Sequence, residues 1–212
     1  GGEPEKGGGG GGGGGTSTES KLKGTAGMVE RKTYQVAQRF QQLAERCLFT
    51  LRVEVQMHCF FHLAAMAKAD YALKDESLQP EAFVVELNKD LTGIEDAICK
   101  YLDEEKVRYV FSGLDQLMCS IMIRTLPLIA HRRITRDGVL QITRNLYALQ
   151  QNLTNIVKSS GSCFDRARSY FELINMSLED QEQFRHENPK KFSQTEYEAI
   201  TKAYRANNAA DM

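Results

Sequence analysis

The sequence predicts an all-α protein, an elongated bundle of five to six consecutive, mostly antiparallel helices behind a disordered glycine-rich N-terminal leader. Three observations predict it. Apolar residues recur at spacings of three and four through most of the chain. No two alternating runs are joined by a hairpin signal. The breaks between periodic stretches carry helix-capping residues.

The leader comes first. Eleven of the 17 glycines lie in residues 1–15, followed by Thr16, Ser17, Thr18, Glu19 and Ser20. Such a stretch cannot bury enough apolar surface to offset its ordering entropy, so residues 1–27 are expected as a tether and 28–212 as the helical domain. The poly-Gly run satisfies G-x-G-x-x-G trivially. Neither a preceding strand nor a following Gly-Lys-Ser/Thr supports a phosphate loop.

From about residue 33 to 69, Phe40, Leu43, Cys47, Leu51, Val55, His58, His62 and Met66 recur at helical spacing. That predicts one helix of about 55 Å at about 1.5 Å per residue. Leu51, Val53, Val55 and Met57 also alternate at period two. Length and flanks without Gly or Pro favour the helix over the strand. After a loop over residues 70–79, Pro80 suits a first helical turn. Phe83, Val84, Leu87, Leu91, Ile94, Ile98 and Tyr101 then mark a second helix, weakened at Gly93.

Asp103, followed by Glu104 and Glu105, is a good N-cap for a third helix through Val107, Val110, Phe111, Leu114, Met118 and Met122. It should reach Arg124 or, kinked at Pro127, about Arg133. Asp137-Gly138 reads as punctuation before a fourth helix. Val139, Ile142, Leu146, Leu149, Leu153 and Ile156 form its narrow 3-4-3-4-3 seam. Ser160-Gly161-Ser162 is the next break. A fifth helix follows with Phe164, Ala167, Tyr170, Phe171 and Ile174, polar after Ser177 and closed by Pro189. Ser193 and Glu196 form a capping box for a last helix over about 194–205, with 206–212 fraying.

Composition narrows the function classes. There are 27 Lys plus Arg against 28 Asp plus Glu, a net charge of −1. That removes any bulk attraction to nucleic acid or an anionic membrane and leaves only local patches. No stretch approaches the roughly 20 apolar residues of a membrane span, and the first residues lack the apolar region of a secretory signal. The five cysteines are odd in number and lie in amphipathic stretches, so all five are expected as buried, reduced thiols. The chain begins with Gly rather than Met and is expected to be part of something longer.

Candidate sites are few. His58 and His62 stand at i and i+4 and could share a metal, but no Glu completes H-E-x-x-H and no C-x-x-C supplies further ligands. They are expected as satisfied core histidines, with no metal and no cofactor. Residues 124–144 hold Arg124, Arg132, Arg133, Arg136 and Arg144 against Asp137, a local balance of five minus one, or +4. Arg132, Arg133, Arg136 and Arg144 are the expected contacts for a partner or lipid headgroup. The alternative is that Arg132, Arg133 and Arg136 sit at a helix C-terminus, where they cap carbonyls and complement the dipole. Residues 172–187 carry the opposite balance, five acids against Arg185, and read as a solvated face. Asn152-Leu-Thr and Asn175-Met-Ser match the glycosylation pattern but lie inside predicted helices. No nucleophile elbow or triad is legible, so no catalytic residue is assigned.

Residues 51–63 (Leu-Arg-Val-Glu-Val-Gln-Met-His-Cys-Phe-Phe-His-Leu) and 144–156 (Arg-Asn-Leu-Tyr-Ala-Leu-Gln-Gln-Asn-Leu-Thr-Asn-Ile) carry a family resemblance. Residues 110–117 and 164–173, and the last helix around Tyr197 and Ile200, support it. From about residue 35 to 205 the chain resembles the C-terminal region of the exocyst complex component 4 (Sec-eight subunit) family. The resemblance implies a non-enzymatic helical scaffold in the complex that tethers secretory vesicles to the plasma membrane before SNARE-mediated fusion. It implies other exocyst subunits as partners, with small GTPases, SNARE regulators and peripheral membrane contact as further ones, and a cytoplasmic location with recruitment to sites of exocytosis. No small-molecule substrate follows from it. The tail Ala210-Asp211-Met212 lacks the PDZ-binding ending of some animal members, and the leader has no family counterpart. Two other classes remain at this point: a nucleic-acid-associated module using residues 124–144, and a metal protein built on His58 and His62.

Overall fold

A computed structural model describes residues 16–75, 77–157 and 162–209, with side chains from residue 28. The described residues form helices and no strand. In order these are α1 (Thr16–Leu63), a 3-10 turn (Ala64–Ala67), α2 (Ala82–Ile98), α3 (Glu104–Phe111), α4 (Leu114–Ile129), α5 (Arg136–Val157) and α6 (Ser162–Glu172). A second 3-10 turn (Leu173–Asn175), α7 (Leu178–Glu187) and α8 (Gln194–Ala209) complete the chain. The all-α class stands. Residues 1–15 of the expected leader, most of the break at 160–162 and the last three residues lie outside the described residues. The helix α1 begins at Thr16, inside the stretch expected as leader; extending a helix that is already nucleated adds a hydrogen bond for each residue fixed.

The chain divides into two compact units, residues 1–47 and 48–212, and α1 contributes to both. In the first unit the side chains from Met28 to Cys47 are exposed. Phe40, Leu43 and Cys47, which share the helical spacing of Leu51, Val55 and Met66, are therefore not core residues. The second unit holds the core. Along α4 the residues Leu114, Met118, Met122, Leu126 and Ile129 are buried, and this helix packs on the first 3-10 turn, α5, α6 and α8. On α5 the predicted seam is buried from Val139 through Ile142, Leu146 and Leu149 to Leu153 and half-buried at its last residue, Ile156, with α2 and α6 packed on the helix. Each such side chain contributes about 1.5–3 kcal/mol by leaving water.

Several boundaries move for local reasons. The third predicted helix breaks into α3 and α4 because Gly113 takes φ 76°, a left-handed conformation that ends a helix at little cost only for glycine. Pro127 lies inside α4, which stops at Ile129. Pro80 is not in the first turn of α2. Glu81 is the N-cap, held extended while its N–H donates to Asn145 Oδ1 at 2.9 Å. Asp137-Gly138 is no break, because Thr135 caps α5 one turn earlier. Its Oγ1 accepts the Gly138 N–H at 3.2 Å and its carbonyl accepts Val139 N–H at 2.9 Å. The fifth predicted helix divides into α6, the 3-10 turn and α7, where the Ser177 hydroxyl accepts the Asp180 N–H at 3.1 Å.

Two caps match the sequence expectation. Asp103 Oδ1 accepts the Lys106 N–H at 3.0 Å at the start of α3. At α8 the capping box closes both ways, from Ser193 N–H to Glu196 Oε2 at 2.6 Å and from Glu196 N–H to Ser193 Oγ at 3.3 Å. The five cysteines are free thiols but not all buried: Cys59 and Cys119 are, Cys163 is half-buried, and Cys47 and Cys99 are exposed. Periodicity finds the helical face, but burial of that face depends on which neighbour reaches it.

Candidate interaction surface and the side chains that fix it

The connector from α4 to α5 carries the expected arginines, and its backbone is clamped from three directions. Asn207 of α8 accepts the Ile134 N–H and donates to the Ile134 carbonyl, both at 2.7 Å. Thr135 N–H donates to Tyr71 O at 3.0 Å. The Thr135 hydroxyl lies 3.1 Å from Tyr71 O and 2.8 Å from Leu73 O. Arg132 reaches across to Ala67 O at 3.0 Å, satisfying a carbonyl at the end of the first 3-10 turn.

On this clamped segment Arg132, Arg133 and Arg136 are exposed, whereas Arg144 is half-buried. The Arg144 guanidinium donates to Ser77 O, which turns it toward the loop over residues 70–81. Arg136 is the first residue of α5, where the helix dipole disfavours a cation. The dipole reading therefore does not account for it. Arg132 fits the carbonyl-capping reading, but at the end of the turn after α1 rather than of α4.

The same loop is pinned along α5. Gln141 Nε2 donates to Gln79 O at 3.0 Å, and Asn145 Nδ2 donates to Glu81 Oε2 at 2.5 Å. The Tyr71 hydroxyl donates to the same carboxylate at 3.0 Å. Burial raises the Glu81 carboxyl above its usual range, against the lowering effect of Asn145 and Tyr71. The buried Tyr71 phenol is itself pushed up, first by burial and then by the Glu81 charge. Further along, Asn152 Nδ2 donates to Asn88 O at 3.2 Å and Thr92 Oγ1 to Asn152 Oδ1 at 3.0 Å. The 144–156 string thus lies on α5, and its Asn145 and Asn152 bind that helix to the loop before α2 and to α2 itself.

His58 and His62 find their partner in Asp90 of α2. His58 Nδ1 lies 2.9 Å and His62 Nε2 2.8 Å from the same oxygen, Asp90 Oδ2. The hydrogen bond from His62, with that from His58, holds the Asp90 carboxyl below its ordinary value against the opposing effect of desolvation. The ligand-type atoms of the three residues lie within 4.8 Å of one another, spacing that could hold a metal ion. One carboxylate oxygen already serves both rings, as satisfied histidines require. The two histidines are half-buried rather than core residues. Asp90 carries no sequence signal that pairs it with a helix 28 residues away.

The far end of the second unit is closed by Arg166 of α6. Its Nη2 lies 2.9 Å from both Glu196 oxygens, its Nε donates to Lys191 O at 3.0 Å, and its guanidinium stacks 5.0 Å from the Phe192 ring. Burial would raise the Glu196 carboxyl, but the Ser193 N–H and Arg166 outweigh it and hold it below its usual value. Burial pushes the Cys59 and Cys119 thiols up to about 12, a range in which neither is a nucleophile at neutral pH. Residues 172–187 are largely exposed around α7, as a solvated acidic face should be. Among the described residues, no helix is long and apolar enough to cross a membrane.

Comparison with known proteins places the chain among relatives of much greater length. It is 36% identical over 162 residues to "Exocyst complex component 4" of Dictyostelium discoideum, an alignment covering 73% of this chain and 14% of that protein. It is 34% identical over 193 residues to the Homo sapiens protein of the same name, covering 89% of this chain and 20% of the relative. The Mus musculus protein is 36% identical over 176 residues, 81% of this chain and 18% of its own length. The chain therefore spans between about one-seventh and one-fifth of these curated relatives. No family model matches it.

Proposed function

The chain belongs to the exocyst complex component 4 family, and from that premise we propose that it works as a helical scaffold segment of an exocyst subunit, the complex that tethers secretory vesicles before membrane fusion. The alignment covering 89% of the chain carries this reading, since it leaves room for only a small part of the second unit to lie outside it. The activity is binding without catalysis. Its partners are other exocyst subunits, then small GTPases and SNARE regulators, and it acts in the cytoplasm and at the plasma membrane.

Arg132, Arg133 and Arg136 are the proposed contact on the second unit. A connector whose backbone is already fixed by Asn207 and Thr135 presents guanidinium groups with little further loss of entropy. Guanidinium also suits bidentate recognition of carboxylates on a facing helix or of phosphates on a membrane surface. Arg144 acts through the loop it holds.

The test is pull-down of purified exocyst subunits by the full chain, with and without charge reversal of all three residues to Glu. The expected result is capture by the native chain and a loss of at least tenfold in the variant, with an unchanged thermal midpoint showing that the variant folds. Unchanged capture would remove the arginines from the interface. Capture of no subunit by the folded native chain would remove the scaffold reading itself.

A further inference from the structure

The first unit carries a second, separate surface. Between Val29 and Cys47 the apolar or small residues Val29, Thr33, Val36, Phe40, Leu43 and Cys47 step 4-3-4-3-4, a heptad in which Thr33, Phe40 and Cys47 take a and Val29, Val36 and Leu43 take d. All lie on α1 and all are exposed: Val29 54%, Val36 50%, Phe40 67% and Leu43 57%. A stripe with this period is complementary to another helix supercoiled against it, because a 3.5-residue repeat stays in register with a helical partner and with little else. Contiguous exposed apolar surface of this kind marks an interaction site.

The flanks state what kind of helix fits. Every g position is basic (Lys32, Arg39 and Arg46), and the e positions are Glu30, Ala37 and Ala44. A second copy gains nothing from these flanks. In a parallel pair Lys32 and Arg39 would face Ala37 and Ala44 of the other copy, and in an antiparallel pair the basic g positions would face each other. A helix with Glu or Asp at its own flanking positions pairs with all three cations and keeps the apolar seam.

We propose that residues 29–47 are a docking seam for an amphipathic helix of another protein, apolar at a and d and acidic at e and g. The seam shares no residue with the arginine connector of the second unit and does not rest on it, so either proposal fails without the other.

The test uses the full chain and a synthetic peptide of about four heptads with Leu and Ile at a and d and Glu at e and g. A control peptide carries Lys at e and g. By fluorescence anisotropy at low salt, the Glu peptide is expected to bind at least tenfold tighter than the Lys peptide, with the gap narrowing as salt rises. Leu43→Asp should abolish binding without moving the melting temperature, since the side chain it replaces is exposed. Lys32→Glu with Arg39→Glu should invert the preference toward the Lys peptide. Equal binding of both peptides, or binding unaffected by Leu43→Asp, would overturn the proposal. So would micromolar self-association of the native chain that Leu43→Asp dissolves, because the occupant would then be a second copy.

Discussion

Two glycines in helices should respond to the same substitution with opposite signs. At Gly138, on the first turn of α5, an added Cβ would stand 2.1 Å from Tyr71 O and 2.9 Å from Tyr71 C and Cβ. An ordinary carbon–oxygen contact is about 3.3 Å, so the loop must move by about an ångström. That movement strains or breaks the two Thr135 hydrogen bonds to Tyr71 O, at 3.0 and 3.1 Å, each worth about 0.5–1.5 kcal/mol. Overpacking adds about 1–3 kcal/mol, and the better helix propensity of alanine returns about 1 kcal/mol. The net for Gly138→Ala is a loss of about 1–5 kcal/mol, or roughly 2–20 °C in Tm for a chain of this size. Gly93, inside α2, has nothing within 4 Å of its added Cβ. There Gly93→Ala should gain about 0.5–1 kcal/mol. Calorimetric melts of the purified chain at neutral pH read both. A Gly138→Ala variant as stable as the native chain, or two shifts of the same sign, would refute the contact between α5 and the loop.

Two carboxylates should give opposite pH signatures. Burial raises the folded-state Glu81 carboxyl, so its contribution favours the fold below the unfolded pKa and turns unfavourable as pH rises through the folded value. Glu81→Gln, which keeps an acceptor for Tyr71 and Asn145, should therefore raise Tm at neutral pH and lose that advantage in acid. A lower Tm at neutral pH would contradict it. Glu196 is held low, so its contribution is present above the unfolded pKa and disappears as pH falls through the folded value. Glu196→Ala should cost about 2 kcal/mol at neutral pH through the lost Arg166 pair and capping box, with a deficit that shrinks in acid. A deficit independent of pH would refute the ionic origin.

Most helices were legible because amphipathic spacing and capping residues are local: Asp103 and Ser193 cap where the sequence places them. What was hidden depends on distant partners. The apolar spacing runs through Val110, Phe111 and Leu114 without interruption, and only the left-handed Gly113 between them divides α3 from α4. Gly138 reads as punctuation in sequence but serves as a close contact for Tyr71. Phe40, Leu43 and Cys47 share three-and-four spacing with Leu51, Val55 and Cys59, yet a strict heptad count puts the first three at a, d and a and the others at e, b and f. Spacing alone merged two faces of one helix. At the histidine cluster, the i, i+4 pair was visible and Asp90 was not, since a contact between helices leaves no mark in either one alone.

The proposed role of this chain, a binding segment of an exocyst subunit, is tested most directly by reconstitution. The full chain would be titrated against purified exocyst subunits at near-physiological salt, with sedimentation to read complex formation. The account predicts a stoichiometric complex with at least one subunit, weakened by charge reversal at Arg132, Arg133 and Arg136. A folded chain that forms no complex with any subunit would contradict it.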